Sequence, residues 1–181
     1  MNEPRFFRHW CMPNANTFEI APIAALLDRV LAGRSVVVDP FARGSKRATH
    51  GNDLNPEFCA RPMEAQDFLR DLAARGVVAD ALLLDPPYSP RQMSEVYSSV
   101  GLSKGMAASQ TARLYAECKG LMTAIAAPEC VAVTFGWNSS GFGEGRGFAL
   151  EEVHLVCHGG AHNDTIATVE RKTIPTQRGF L

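Results

Sequence analysis

The chain has 181 residues, of which 46% are hydrophobic and 20% charged, close to the globular average; a wholly disordered or fibrous chain is excluded. Its 18 basic and 19 acidic residues give a formal net charge of -1, which argues against a strongly basic nucleic-acid binder but leaves room for a local basic face. No apolar run is long enough to span a membrane, no secretory leader is evident, and five widely spaced cysteines without a CxxC read as free thiols in a reducing cytoplasm.

Residues 5–17 are rich in aromatic, Pro and Asn residues and read as an ordered loop. Residues 18–32 carry apolar side chains near a period of 3.6 and predict a helix stopped by Gly33. Residues 35–39 (SVVVD) form a continuous apolar run ending in an acid, the pattern of a strand covered on both faces. A short polar stretch leads to a further strand near residues 50–54. A helix follows over 64–75, ending at Gly76, and then a buried strand over 79–84 closed by Asp85.

Residues 89–107 are polar, contain Gly101 and Gly105, and read as a mobile loop. A helix is predicted over 109–126 and a buried strand over 131–135. Residues 136–147 hold five glycines in twelve positions and read as a loop. Residues 153–157 and 165–170 predict an antiparallel hairpin through HGGAHND. The order implies one α/β domain over residues 1–181, a doubly wound, mostly parallel sheet with a C-terminal antiparallel hairpin.

Asp85-Pro86-Pro87-Tyr88 stands directly after a predicted buried strand, at the sheet edge where open α/β folds bind ligands. A proline-proline turn capped by tyrosine is the purely structural alternative. The tetrapeptide resembles the fourth motif, D/N/S-P-P-Y/F/W, of S-adenosylmethionine-dependent N6-adenine and N4-cytosine methyltransferases, in its adenine-type form. The resemblance implies a Rossmann-like class I methyltransferase fold and transfer of a methyl group to an exocyclic amine. In that chemistry Asp85 and the Pro86 carbonyl accept the two amine hydrogens, and Pro87 helps fix the backbone. Tyr88 offers a face on which an extruded base stacks. Transfer is then a single in-line displacement from the sulfonium.

Asp39-Pro40-Phe41-Ala42-Arg43-Gly44-Ser45 resembles the first motif of the same family, DPFxGxG, which holds the methionine part of the cofactor. Arg43 and Ser45 stand where the pattern has glycines, and only Gly44 remains. Asp53 and Leu54 resemble the second motif, whose acid holds the ribose hydroxyls; an Asx-Pro turn at Asn55-Pro56 is the alternative. Glu64, in a segment resembling D-A-x-x-F-L, matches the acid that accepts from the cofactor's adenine amine. Asp67 competes for that role, and a solvated helix N-terminus would also favour both acids. Asn16, Thr17 and Phe18 sit where the tenth motif closes over the methionine end, or else Asn16 or Thr17 caps a helix.

The motif order, the glycine-rich segment and the hairpin resemble short phage-encoded adenine DNA methyltransferases that lack a separate target-recognition domain. The resemblance implies S-adenosylmethionine as cofactor, duplex DNA with a flipped adenine as partner, and a monomer or homodimer free of membranes. Arg43, Lys46, Arg91 and Arg146 lead a set of basic residues expected to rim the cleft and meet phosphates, unless they are ordinary solvated surface. Residues 89–105 and 136–147 are expected to move over the base. An RNA amino-methyltransferase, an N4-cytosine enzyme and a non-catalytic, degenerate DNA-binding module are the competing readings. His154 and Cys157, three apart on a strand, should point to opposite faces and not share a metal. Phe6, Phe7 and Trp10 read as a packing cluster rather than a base-stacking platform.

Overall fold

The computed structural model describes residues 3–101, 108–160 and 162–173. Its strands are β1 (Arg5–Trp10), β2 (Val37–Asp39), β3 (His50–Gly51), β4 (Ala79–Leu84), β5 (Ala126–Gly136), β6 (Phe148–Cys157) and β7 (Thr165–Lys172). They form one seven-stranded sheet in the order β1-β6-β7-β5-β4-β2-β3. Every pairing is parallel except those of β7, which runs against both β5 and β6. The doubly wound, mostly parallel sheet with a C-terminal hairpin is thus what the chain forms.

Helices cover both faces of the central strands, and this is why those strands read as unbroken apolar runs. On one face α1 (Ala21–Leu31) packs Ile23, Leu26 and Leu27 against Val37, Ala81, Leu83 and Val133. On the other, α2 (Ala65–Ala74), α3 (Pro90–Ser99) and α4 (Ala108–Ile125) meet Val38, Leu82, Leu84 and Ala132. Alternate residues of β4 therefore serve opposite halves of the core. Among the described residues no helix is long and apolar enough to cross a membrane. All five cysteines are free.

Five sequence expectations need correction. Residues 5–10 are not loop but an edge strand, because β6 offers Glu152–Cys157 as a parallel partner. Phe6 and Trp10 project from it into solvent, so the aromatic residues there are not a packing cluster; only Phe7 stacks, on His154 at 4.5 Å. Residues 90–99 are helical: the Ser89 hydroxyl accepts from the Gln92 N–H at 3.2 Å and Pro90 occupies the first turn, a start signal outweighed in the sequence by polar composition. Residues 102–107 of that expected loop lie outside the described residues.

The fourth correction concerns residues 136–147. The segment is fastened, not free to swing. Glu170 of β7 accepts from the N–H groups of Phe142 and Gly143 at 2.6 and 2.7 Å. Lys119 of α4 donates to the Ser140 and Gly141 carbonyls, each at 2.7 Å. Phe142 is buried against Phe148, with ring centroids 4.8 Å apart. A side chain at Gly141 would run into the Glu170 carboxylate, so glycine is required there by close approach. The helix expected over 18–32 also divides, into a 3-10 turn (Thr17–Glu19) and α1, with Pro22 in the first turn of α1.

Candidate active site

The parallel strands β2, β4 and β5 end on the same side, and a cleft of ≈ 1650 Å³ opens over their C-terminal tips. That exceeds the roughly 300–1,000 Å³ of a site for one drug-sized ligand, so two molecules or one long one can enter. Asp39 ends β2, and Asp85 follows β4 directly.

Asp39 is fully buried. Its Oδ1 accepts from the Phe41 N–H at 2.9 Å, while Oδ2 has no partner among the described residues. Burial pushes its pKa up to about 8, and the nearby charges of Asp85 and Asp53 add to the effect. A buried carboxyl with one orphan oxygen, directly behind the cleft-lining Pro40 and Phe41, is a costly arrangement for the fold alone.

The loop after β2 explains the departures from the glycine pattern. Arg43 adopts φ 42° and Gly44 φ 76°, so an arginine stands in the left-handed conformation where glycine is the usual choice. Two bonds hold it there. Its N–H donates to Asp53 Oδ2 at 3.0 Å, and its guanidinium donates to the carbonyl of Ala15. Asp53 Oδ1 meanwhile accepts from the Asn55 N–H at 2.8 Å, closing the Asx turn. Gly44 lies against Phe58, whose ring a Cβ would approach to 3.2 Å.

Asn52, which sequence reading passed over, is buried and braces the same loop. Its amide donates to the carbonyls of Pro40 and Met63, at 3.2 and 3.0 Å, and its backbone bonds Asp39 and Ala42. Pro40, Phe41 and Leu54 line the cleft beside it.

Asp85 is half-buried and accepts from the Tyr88 phenol. Burial raises its pKa, while the Tyr88 and Thr17 hydroxyls and the Arg43 charge pull it down without cancelling the rise. The Tyr88 N–H donates to Gln92 Oε1 at 2.6 Å, which ties the Pro86-Pro87 turn to α3. Tyr88 meets Trp137 edge-on, with centroids 5.7 Å apart. Trp137 is a cleft residue that a glycine-rich loop signal hid.

Asn16, Thr17 and Phe18 line the opposite wall. The Asn16 side chain makes no capping bond, and Phe18 is buried against Phe135 at 5.2 Å. Glu64 opens α2, lines the cleft and accepts from the Tyr97 phenol of α3. Asp67 pairs instead with Arg70 at 2.7 Å and does not line the cleft. Among the basic candidates, Arg43 and Lys46 line the cleft; Arg91 pairs with Glu95 at 2.8 Å, and Arg146 donates to the Phe142 carbonyl at 3.2 Å, both outside the lining.

His158, which the sequence places beside the hairpin turn, is buried in the cleft wall between the Cys11 carbonyl at 2.7 Å and the Thr165 hydroxyl at 2.9 Å. His154 lies elsewhere, on the α1 side of the sheet. Burial lowers its pKa, against the pull of Glu152, to which it bonds at 2.8 Å.

No family model and no curated protein matches the chain. Its structure is similar to that of TrmN from Thermus thermophilus, with a TM-score of 0.53 at 18% identity over 84% of this chain and 49% of that one. NSun6 from Pyrococcus horikoshii, solved with SFG, gives a TM-score of 0.47 at 14% identity over 94% of this chain and 48% of that one. The chain thus spans about half the length of either. At this identity the likeness to TrmN establishes the fold alone, a Rossmann-like α/β architecture.

Proposed function

We propose that this chain transfers a methyl group from S-adenosylmethionine to the N6 amine of adenine in DNA. One observation carries the reading: Asp85 of the D-P-P-Y turn lines a single large cleft together with the acids Asp53 and Glu64 and the loop that follows Asp39. The cofactor fits the residues present. Asp39 offers an unsatisfied oxygen, the Arg43-Gly44 turn brings backbone to the rim, and both Asp53 oxygens keep a spare lone pair. Asn16, Thr17 and Phe18 would cover the methionine end, with Asp39, Pro40, Phe41 and Gly44 beneath it. Asp53 and Leu54 would take the ribose. Glu64 suits the adenine amine better than Asp67, which is engaged on the outer surface.

When bound, S-adenosylmethionine supplies an electrophilic methyl carbon on a sulfonium. The protein's task is to make a delocalised amine nucleophilic and to aim it. Asp85 accepts one amine hydrogen, and its raised pKa suits it to take up the proton that the amine sheds as the new C–N bond forms. The rigid proline pair and the Gln92 bond fix the turn, so the acceptor costs little reorganisation. Tyr88 and Trp137 present aromatic surface to an extruded base. Arg43 and Lys46 stand at the rim for phosphates.

The test is product identification. The chain is incubated with methyl-labelled S-adenosylmethionine and either duplex DNA or total RNA, followed by nucleoside digestion and mass spectrometry. N6-methyladenine in DNA is the expected product. Label confined to RNA, N4-methylcytosine, or no cofactor binding by calorimetry would each replace this reading with a different one.

A further inference from the structure

We infer that the outer face of β1 is a docking strip for a single-stranded stretch of nucleic acid beside the target base. This rests on the nucleic-acid reading of the cleft. Side chains alternate along a strand, so Phe6, Arg8 and Trp10 share one face and stand about 6.8 Å apart. Their neighbours Phe7 and His9 turn to the α1 side and stack on His154. Phe6 and Trp10 have no such use: they are 74% and 71% exposed. Arg8, between them, is exposed as well, with the Cys157 thiol and Asp164 in its surroundings.

Trp10 is exposed yet supported. A Cβ at Gly159 would come within 2.5 Å of its indole, so the ring rests on a glycine that itself has φ +68°. The indole is thereby propped with its large surface open, which limits the entropy lost when a base stacks on it. The strip also runs toward the cleft. Cys11, next after Trp10, is held by the Cys157 carbonyl at 3.1 Å and by cleft-lining His158, and Pro13 already lines the cleft.

Aromatic, cation, aromatic at alternate positions is the chemistry that binds a polynucleotide strand: bases stack on the rings and the intervening phosphate meets the guanidinium. A second copy of the chain pairing along β1 would use the strand edge, whereas two exposed rings with a cation between them call for stacking surface and a phosphate. A nucleic-acid strand satisfies both features.

Fluorescence anisotropy with labelled single-stranded oligonucleotides of about 12 residues, as DNA and as RNA, tests this. Phe6→Ala and Trp10→Ala are each expected to weaken binding about tenfold, and Trp10→Ala to remove fluorescence quenching on binding. Arg8→Gln should reduce the salt slope by about one, and Arg8→Lys should restore it. Affinity for S-adenosylmethionine and thermal stability should stay unchanged in all four variants. Unaltered affinity in Trp10→Ala overturns the strip, as does a loss that sedimentation velocity traces to a broken dimer. Methyl transfer by the wild-type protein, measured beside oligonucleotide binding, separates the two claims. If wild type transfers no methyl group to any nucleic acid but Trp10→Ala still weakens binding, the catalytic reading fails and the strip stands. If wild type transfers methyl groups and the strip variants bind like wild type, the strip alone fails. Absence of single-stranded oligonucleotide binding by wild type overturns the strip and leaves the catalytic reading to the product test.

Discussion

The Tyr88 phenol donates to the carboxylate of Asp85, three residues before it. The two outer members of the D-P-P-Y turn are therefore coupled before any substrate arrives. The bond orients the acid and spends one of its roughly four acceptor sites.

Asp85→Ala should keep S-adenosylmethionine affinity within about twofold by calorimetry and lower the transfer rate by roughly 10²–10³, the range for losing one preorganised partner of a reacting group. Retained turnover would remove the acid from the mechanism.

Tyr88→Phe keeps the ring and deletes the phenol. Because the phenol helps hold the Asp85 pKa down, its loss should raise that pKa further. The acidic limb of the rate profile should shift to higher pH while KM for DNA stays put. Tyr88→Ala should raise KM as well, since the stacking surface goes. An unshifted limb in Tyr88→Phe would show that Asp85 titration does not govern the rate.

Asp39 makes stability depend on pH. Its folded pKa of about 8 lies above the ordinary 3.8, so between those values the folded chain holds a proton that the unfolded chain has released. The stabilisation is complete below the lower value and is lost as pH rises through the upper one. Unfolding midpoints in urea should fall across that window, by up to about 1.4 kcal/mol per pH unit for this group. Asp39→Asn should flatten the trend and be the more stable protein at the alkaline end, and it should bind S-adenosylmethionine poorly.

Arg43→Gly should relax about 1 kcal/mol of left-handed backbone strain while cutting the tether to Ala15. Global stability should change by less than about 1 kcal/mol, whereas amide exchange over residues 13–19 should speed up at least tenfold or so. Arg43→Ala keeps the strain, loses the tether, and should be the less stable of the two. Equal exchange in wild type and Arg43→Gly would show that the guanidinium bond holds nothing.

Gly141→Ala drives a methyl group into the Glu170 carboxylate. A loss of about 1–3 kcal/mol in urea unfolding is expected, as for other forced overpacking. A neutral effect would mean that the segment yields more easily than its four anchoring bonds suggest.

What the sequence disclosed, and what it hid, follows from where the information resides. The core strands were legible because burial on both faces leaves apolar runs broken only by an acid near an end, as in Val37–Asp39 and Ala79–Leu84. The D-P-P-Y turn was legible because its residues are rare together and stand at a strand tip. β1 was not, since an edge strand exposed along nearly its whole length shows aromatic and basic residues in place of an apolar pattern. Asn52 was hidden because its worth comes from carbonyls at Pro40 and Met63, a relation no local window contains. Trp137 and Glu170 were hidden alike: one sits in a segment that composition marks as loose, the other tightens that segment from 27 and 28 residues away.

β7, the last strand in chain order, lies inside the sheet, between β5 and β6. β1, the first strand, finds its partner only in β6. During synthesis, then, the ribosome must deliver β7 before this half of the sheet can close. Until β7 inserts, Glu170 is absent from its post, the segment carrying Trp137 lacks its clasp, and one bank of the cleft has nothing to stand on. A nascent chain cut short of β7 should be a client for chaperones rather than a smaller folded protein.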